Sequence, residues 1–242
     1  LFSAEQSVVK SLAQNRVRVL AMKLHLPLPV AASIKRTELL QRIEMAQDES
    51  RVFVFEAASG YGKSQSVAQF ILQKSYERQV GAWLTLDSKE SDPLRFMTYL
   101  CSALNTANSS LAIAALNAID EGRGHDDIFL IFMQEILESN LPIHLVLDDV
   151  HHLENAPSIN LLQKLIQYSP SNLKLYLISR NKLNIGLESL YADGSLCKFT
   201  ENELSFSMDE TKQWIGAKGN SILSNERAER YFSLSQGWPI GL

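Results

Sequence analysis

A short glycine-rich run constrains the fold of this chain more than any other feature. The residues AASGYGKS at 57–64 follow the apolar stretch 52–55 and precede a segment with helical spacing, an order that predicts a strand, a tight loop and a helix. Gly60 and Gly62 allow backbone N–H groups to turn inward around phosphate oxygens, which a Cβ would hinder. Ala57 stands where the strict pattern G-x-x-x-x-G-K-S/T has glycine, so a fortuitous glycine-rich turn stays open as the alternative.

The residues that close this loop suit a nucleotide with its metal ion. Lys63 is expected to reach the β- and γ-phosphates, and the Ser64 hydroxyl is expected to ligate Mg²⁺ at the positive end of the new helix. ATP or ADP with Mg²⁺ is therefore the predicted ligand. The nucleotide-contacting residues predicted in and after the loop are Ser59, Gly60, Tyr61, Gly62, Lys63, Ser64 and Gln65.

A second apolar run, residues 143–147, leads directly into Asp148 and Asp149. A continuous hydrophobic run is typical of a buried parallel strand, and ligands bind at the carboxyl ends of such strands. One carboxylate there can hold Mg²⁺ through water, and an adjacent one can polarise the water that attacks the phosphate. We assign Asp148 to the metal and Asp149 to the water; the alternative is a strand that ends in an Asp-rich turn.

A third apolar run, residues 173–178, ends close to Arg180. An arginine at the end of a strand in this sheet would point toward the γ-phosphate, where its planar fork suits phosphate oxygens. The alternative is a surface arginine that caps the following turn, because no spacing rule fixes the direction of the side chain.

Composition limits the classes of partner. A net charge of −4, from 27 acidic and 23 basic residues, gives no general footprint for nucleic acid. No apolar run is long enough to span a bilayer, so no membrane partner is expected. Cys101 and Cys197 lie far apart in the sequence, which favours reduced thiols and a cytoplasmic location. The chain begins at Leu1 without a methionine, which predicts a fragment, and no signal segment precedes the first helix.

Strands and helices alternate along most of the chain. This alternation predicts right-handed crossovers and a parallel sheet covered on both faces, which is an α/β fold: a three-layer αβα P-loop NTPase. We expect residues 30–206 to form this nucleotide-binding domain and residues 1–29 to form an N-terminal arm or tether. Residues 207–242 are expected to begin a small helical subdomain, truncated at Leu242. The predicted strands are residues 52–55, 80–87, 143–147 and 173–178.

Three histidines near the Asp pair invite a metal-site interpretation. His151 and His152 are adjacent and point in different directions, and no Cys or Glu lies at a usual ligand spacing from them or from His144. A structural role is favoured over zinc ligation, with His151 able to orient a carboxylate. No G-x-S-x-G nucleophile elbow occurs, so a serine hydrolase is set aside.

Four motifs carry a family resemblance: GYGKS at 60–64, WLTLD at 83–87, LVLDD at 145–149 followed by His151, and ISR at 178–180. Together they resemble the ATPase domain of MalT-like, LuxR-type ATP-dependent transcription regulators, which belong to the STAND class of signal-transduction ATPases. The resemblance covers the chain from about Lys23 onward. Family members often lack the first loop glycine, so Ala57 fits them better than it fits the general pattern.

The resemblance implies the roles already given to Lys63, Ser64 and the Asp pair, and makes Arg180 a sensor at the strand end. It also places Arg36, ahead of the first strand, among the nucleotide-binding residues. Gly237-Trp238-Pro239 resembles the G-x-P element of the helical subdomain, in which the proline packs near adenine; a plain turn is the alternative.

Proteins of this class rest with ADP, exchange it for ATP when an inducer binds, and self-associate. The resemblance therefore implies a slow ATPase that acts as a switch, with nucleotide-dependent self-association. Inducer and DNA would be bound only through C-terminal domains absent from this chain. Slow hydrolysis is expected because the sequence offers no obvious second arginine finger.

Two other functions use the same loop. A small-molecule phosphotransferase would need an acceptor pocket and a lid, for which the helical segment after Ser207 is the candidate. A scaffold that binds ADP without turnover is disfavoured by the intact Lys63, Asp148 and Asp149.

Overall fold

The computed structural model describes residues 19–27, 34–153, 156–192, 194–217 and 225–241. The predicted arm or tether, residues 1–29, falls outside these ranges except for residues 19–27. In that described part, Leu24 is buried, and the Lys23 ammonium lies 2.8 Å from Asp87 Oδ2 and also pairs with the fully buried Glu90. Residues 19–27 therefore contact the core, through the buried Leu24 side chain and the ion pairs of Lys23.

Within the described ranges, the sheet has five parallel strands in the order β2-β3-β4-β1-β5. After β1 the chain crosses to β2 at the far edge of the sheet and returns through β3 to β4, which pairs with β1. The loop after β1 therefore lies beside the carboxyl end of β4. The strands are β1 (Val52–Glu56), β2 (Val80–Thr85), β3 (Ile143–Asp148), β4 (Leu173–Ser179) and β5 (Leu196–Phe199).

The apolar runs of the sequence predict the first four strands, but no such run marks β5. This strand is short, lies at an edge of the sheet, and carries the half-buried Cys197 and Lys198 between the buried Leu196 and Phe199. Its pattern is too short to indicate a strand, and its pairing with β1 decides its conformation.

Helices cover both faces of the sheet. Along β1, Val52 and Val54 pack with one group of helices, and Phe53 and Phe55 pack with the other. This alternation confirms the predicted three-layer αβα fold and explains why the strands read as continuous apolar runs. The helices are α1 (Thr37–Ala46), α2 (Lys63–Tyr76), α3 (Pro93–Ala107), α4 (Ile113–Asp120), α5 (His125–Ser139), α6 (Ile159–Tyr168), α7 (Glu188–Ala192), α8 (Glu201–Leu204), α9 (Met208–Ala217) and α10 (Asn225–Ser235).

The last two helices, α9 and α10, pack against each other after the sheet is complete. At the start of α9, the Ser207 and Glu210 side chains each accept the other residue's backbone N–H, which is a capping box. We term residues 205–217 and 225–241 the helical unit. Across the part of the chain described here, the helices are all too short or too polar to cross a membrane.

The helical unit closes on itself through a glycine. Phe206 N donates to Gly237 O at 2.8 Å, and Gly237 has a φ of +76°. A Cβ at this position would lie 2.5 Å from Phe206 O, so only glycine permits the approach. The 3₁₀ turn Pro239–Gly241 is thereby carried back to the loop after β1.

Candidate nucleotide site

The loop between β1 and α2 has the backbone of a phosphate cradle. Gly60 and Gly62 have φ values of +90° and +73°, and Gly62 is the residue that caps the start of α2. Successive N–H groups beside left-handed residues form a concave anion-binding surface at the positive end of the helix. A Cβ at Gly60 would also lie 2.9 Å from Ile240 Cβ, so this glycine meets the helical unit directly.

Lys63 is directed toward the centre of the loop. Its side chain is 7% exposed, and its ammonium donates to Ala57 O at 2.6 Å and to Ala58 O at 2.9 Å. Burial lowers the pKa of Lys63, an effect opposed by the nearby carboxylates of Asp148 and Asp149. Phosphate oxygens, which are charged acceptors, can replace these backbone carbonyls as the hydrogen-bond partners of the Lys63 ammonium.

The two aspartates occupy different environments at the end of β3. Asp148 is buried, and its Oδ1 accepts from Ser64 Oγ at 3.1 Å and from Asp149 N at 3.0 Å. Burial raises the pKa of Asp148 to about 6. Asp149 has a φ of +58°, a left-handed conformation that costs a non-glycine residue energy.

Arg180 comes directly after β4 and forms an ion pair with the second aspartate. Arg180 Nε donates to Asp149 Oδ1 at 3.2 Å, and His151 Nδ1 lies 3.8 Å from the same oxygen. The structure thus brings Lys63, Asp148, Asp149 and Arg180 to one edge of the sheet and pairs Arg180 with a carboxylate, and the roles predicted for these residues toward nucleotide stay predictions.

These polar groups line one half of a cavity of about 410 Å³. Gln65 also lies on its wall. The other half is largely apolar, and part of it comes from the helical unit. Its apolar residues are Ile34, Phe206, Trp214, Pro239 and Ile240. The loop, the strand ends and the helical unit therefore line a single cavity, with polar groups on one part of its wall and apolar side chains on the other.

Arg36 lines this cavity, but its guanidinium is engaged by the helical unit. Nη1 donates to Leu204 O at 2.7 Å, Nη2 donates to Ser205 O at 2.9 Å, and Nε donates to Glu210 Oε1 at 3.0 Å. The Arg36 guanidinium also lies 4.9 Å from the centre of the Phe206 ring. The observed contacts of Arg36 thus tie the helical unit to the core, and its predicted contact with nucleotide stays a prediction.

Tyr61 and Trp238 lie on the outer side of the loop. Trp238 Nε1 donates to Ser59 O at 3.2 Å, and its ring centre lies 6.5 Å from that of Tyr61. Burial, together with the charge of Glu201, raises the pKa of Tyr61. Pro239, in contrast, is buried on the cavity wall, and its predicted packing near adenine stays a prediction.

The histidines do not assemble a metal centre. Within residues 19–27, 34–153, 156–192, 194–217 and 225–241, no group of three His, Cys, Asp or Glu side chains is placed to hold a metal ion. His144 is buried and bonds through Nδ1 to Tyr176 OH at 2.9 Å, which is a structural role.

The residues of the polar half fit Mg²⁺ and a diphosphate. Ser64 Oγ and Asp148 Oδ1 are 3.1 Å apart, and Mg²⁺ prefers oxygen ligands at close quarters. The buried, partly desolvated Asp148 carboxyl gains most from a cation, and the glycine cradle leaves room for phosphate.

Sequence reasoning missed the side chains that enclose the other half: Ile34, Gln69, Phe206, Trp214 and Ile240. One signal was available, because Gln69 lies four residues after Gln65 and therefore on the same face of α2. Phe206 and Trp214 gave no signal, since their position depends on how the helical unit folds back.

Comparisons with known proteins agree with this geometry. Residues 46–184 match the family described as AAA domain. The HTH-type transcriptional regulator MalT of Serratia proteamaculans is 26% identical over 223 residues, covering 91% of this chain and 24% of that protein. MalT of Klebsiella pneumoniae gives the same identity and coverage. The chain therefore spans about a quarter of the length of these relatives, and the similarity confirms the MalT-like resemblance of its motifs.

Solved structures share the fold. A Walker-type ATPase of Pyrococcus abyssi aligns with a TM-score of 0.57 at 15% identity, covering 84% of this chain and 64% of that one. The ADP form of the Aeropyrum pernix ORC2 protein aligns with a TM-score of 0.54 at 11% identity, covering 90% and 62%. Because residues 46–184 match this family model over more than half of the chain, the chain belongs to the AAA-domain family, and its fold is that of a P-loop NTPase.

Proposed function

We propose that this chain is the ATP- and ADP-binding switch of a bacterial transcription regulator, with slow ATP hydrolysis. One observation carries the proposal: the cavity beside the phosphate loop is completed by the helical unit, through Phe206, Trp214 and Pro239. A nucleotide in this cavity would contact both parts at once. Its identity would therefore decide how firmly the two parts are held together.

In this proposal, the loop and Lys63 grip the phosphates. The Lys63 ammonium would exchange the carbonyls of Ala57 and Ala58 for phosphate oxygens, since it is already directed into the loop. Ser64 and Asp148 would hold Mg²⁺, which, when bound, neutralises charge on the phosphates.

Asp149 and Arg180 are proposed to respond to the γ-phosphate. Their ion pair occupies the carboxylate that would polarise the attacking water. An ATP γ-phosphate would compete for Arg180, because a guanidinium binds phosphate oxygens in a bidentate manner. Asp149 would then be released as the acceptor of the water proton at its Oδ1 atom.

Slow hydrolysis follows from the arginines at the site. Among the described residues that line the cavity, the arginines are Arg36 and Arg180. Arg36 is committed to Glu210 and to the carbonyls of Leu204 and Ser205. This leaves Arg180 alone to stabilise charge in the transition state, whereas fast P-loop enzymes add an arginine finger.

The relatives extend the proposal beyond this chain. Both MalT proteins are HTH-type transcriptional regulators, and this chain matches a quarter of their length. We propose that inducer and DNA are bound by segments outside these 242 residues and that the nucleotide state controls self-association. A cytoplasmic location accords with this role.

The test is to denature the purified protein and identify the released nucleotide by chromatography, then to measure ATP consumption. Stoichiometric ADP and slow, acceptor-independent hydrolysis are the expected results. A protein that binds ATP weakly and consumes it only when a small-molecule acceptor is added would overturn the switch in favour of a phosphotransferase. Bound ADP without any ATP hydrolysis would instead favour a scaffold that binds ADP as a structural ligand.

A further inference from the structure

Glu56 is a buried carboxylate at the point where β1 ends and the phosphate loop begins. It directly precedes Ala57, whose carbonyl oxygen holds the Lys63 ammonium. Glu56 Oε1 accepts a hydrogen bond from Leu183 N at 2.8 Å, and Oε2 pairs with the Lys198 ammonium. The side chain therefore links the start of the phosphate loop to the segment that follows β4.

That segment carries Arg180 between two fixed points. At its start, the fully buried Ser179 lies opposite Glu56 in the register of β4 and β1. The Ser179 hydroxyl donates to Asn181 O at 2.6 Å and accepts from Asn181 N at 3.2 Å. At its end, Leu183 N is held by Glu56. A backbone that is held on both sides of Arg180 has few conformations from which this side chain can extend.

Arg180 depends on its backbone because packing does not hold its side chain. The side chain is 54% exposed, and its Nε donates to Asp149 Oδ1 at 3.2 Å, which is long for a hydrogen bond between charged groups. Ordering a long, exposed side chain against a ligand costs conformational entropy. The position of the backbone therefore decides how readily the guanidinium reaches a phosphate in the cavity that Arg180 lines.

We propose that the paired residues Glu56 and Ser179 are positioning residues for Arg180. They hold the turn from which its guanidinium reaches the γ-phosphate of ATP. ADP has no γ-phosphate, so the effect should appear in the affinity for a triphosphate relative to that for a diphosphate. This inference rests on the proposed nucleotide-binding function and adds the residues that set its response to the γ-phosphate.

The test measures the affinities of ADP and of the β,γ-imido analogue of ATP by calorimetry with Mg²⁺. Their ratio, analogue over ADP, is the readout. Arg180→Ala should lower this ratio by about tenfold, because it removes a charge-assisted hydrogen bond to the γ-phosphate. Glu56→Leu and Ser179→Ala should each lower it by at least about threefold, because the guanidinium is kept but is no longer held in place.

Glu56→Gln keeps an acceptor oxygen for Leu183 N, since the partly exposed Lys198 can turn to water. It should therefore keep the ratio within about twofold of wild type. The Leu183 side chain is buried in the core, so the segment after β4 should stay folded when only the hydrogen bond is lost.

A double-mutant cycle separates positioning from a general structural role. In an Arg180→Ala background, Glu56→Leu should not change the ratio further, because no guanidinium is left to position. A general disturbance of the phosphate loop would change the ratio equally in both backgrounds.

Glu135→Leu is the matched control. The Glu135 carboxylate likewise accepts backbone N–H groups, from Ala114 at 2.8 Å and Ala115 at 2.9 Å, but it holds the start of α4 and does not line the nucleotide cavity. The ratio should stay at the wild-type value in this variant.

The outcomes distinguish this inference from the function on which it rests. If the wild-type chain binds neither nucleotide, the nucleotide-binding function itself fails. If both bind but Arg180→Ala keeps the wild-type ratio, Arg180 does not respond to the γ-phosphate, and the positioning role fails with it.

Two further results would overturn the positioning role while nucleotide binding stands. One is a wild-type ratio in Glu56→Leu or in Ser179→Ala when Arg180→Ala lowers it. The other is an equal effect of Glu56→Leu with and without Arg180. Ser179→Ala, which removes a single oxygen atom, decides the matter if Glu56→Leu does not fold.

Discussion

The two halves of the cavity are built in different ways. The polar half comes from short stretches of chain at the ends of β1, β3 and β4, with Gly62, Lys63 and Ser64 consecutive in sequence. The apolar half is assembled from Ile34 and the helical unit, whose residues are far away in sequence. The polar half is fixed by local backbone geometry, whereas the apolar half exists only while the helical unit is docked.

Replacing Lys63 with alanine should have the largest effect on ligand affinity. It should weaken the binding of ADP, which spans both halves, and of pyrophosphate, which occupies the polar half. Charge-assisted hydrogen bonds contribute about 1.5–3 kcal/mol each, so affinities for ADP and for pyrophosphate should both fall by roughly 100-fold or more. Calorimetry measures both ligands. Lys212→Ala, which removes an exposed lysine of α9, is the control. ADP binding within about threefold of wild type would contradict the phosphate role of the polar half.

Asp149→Asn should separate chemistry from binding within the polar half. Asparagine tolerates the left-handed backbone at this position, so the local structure should persist while the base is lost. We expect ATP affinity to change little and single-turnover hydrolysis to slow by about 100-fold. Wild-type hydrolysis rates in this variant would show that the assignment of Asp149 to the water is wrong.

Breaking the Arg36–Glu210 ion pair should affect the apolar half alone. Arg36→Met leaves the partly buried Glu210 carboxylate without its guanidinium and should lower the free energy of unfolding by about 2 kcal/mol. ADP affinity should drop about tenfold, while pyrophosphate affinity, which reports the polar half, should stay near wild type. Equal losses for the two ligands would mean that the halves are not independent.

A double-mutant cycle with Glu210→Gln sharpens this result. If the Arg36–Glu210 ion pair holds the helical unit to the core, Glu210→Gln should add little to the stability loss caused by Arg36→Met. The free energies of unfolding in urea give the interaction energy between the two residues. Additive losses would show that Arg36 acts through the Leu204 and Ser205 carbonyls instead.

Lowering the pH should reduce the free energy of unfolding of the core, which lies beneath both halves. This is the smallest of the expected effects. Burial, with the charges of Lys74 and Lys174, lowers the pKa of His144 to about 4 from an ordinary value of 6.5. Below pH 6.5 the unfolded chain takes up a proton that the folded chain refuses, so stability is lost as the pH falls toward 4. Between pH 7 and pH 5 the loss should be about 2 kcal/mol.

Urea unfolding at the two pH values measures this slope. His144→Phe should flatten it, and His125→Phe, at a partly exposed position, should not. A wild-type slope in the His144 variant would assign the acid sensitivity to other groups.

The same contrast explains what the sequence revealed. Lys63, Ser64, Asp148 and Arg180 were predictable because each is placed by a strand end or a turn that its immediate neighbours specify. The sheet was predictable because continuous apolar runs separated by helical spacing allow few arrangements.

The residues that escaped prediction depend on contacts between distant segments. The partner that the structure gives Arg36, Glu210, lies 174 residues later in the chain, whereas the nucleotide contact predicted for Arg36 stays a prediction. Gln69 gave no sign that Ile34, 35 residues earlier, would orient its amide. The edge strand β5 required its neighbour β1, because half of its four residues are only partly buried.

The close packing at Gly60 has a mechanical consequence. Ile240 sits against the loop backbone where a Cβ would be only 2.9 Å away, so no side chain lies between the two. A displacement of the loop cannot be absorbed by a change of rotamer and must move the turn Pro239–Gly241. The movement of the loop is therefore passed to this turn by steric contact. Unlike an exchange of ion pairs, such a contact should not depend on ionic strength.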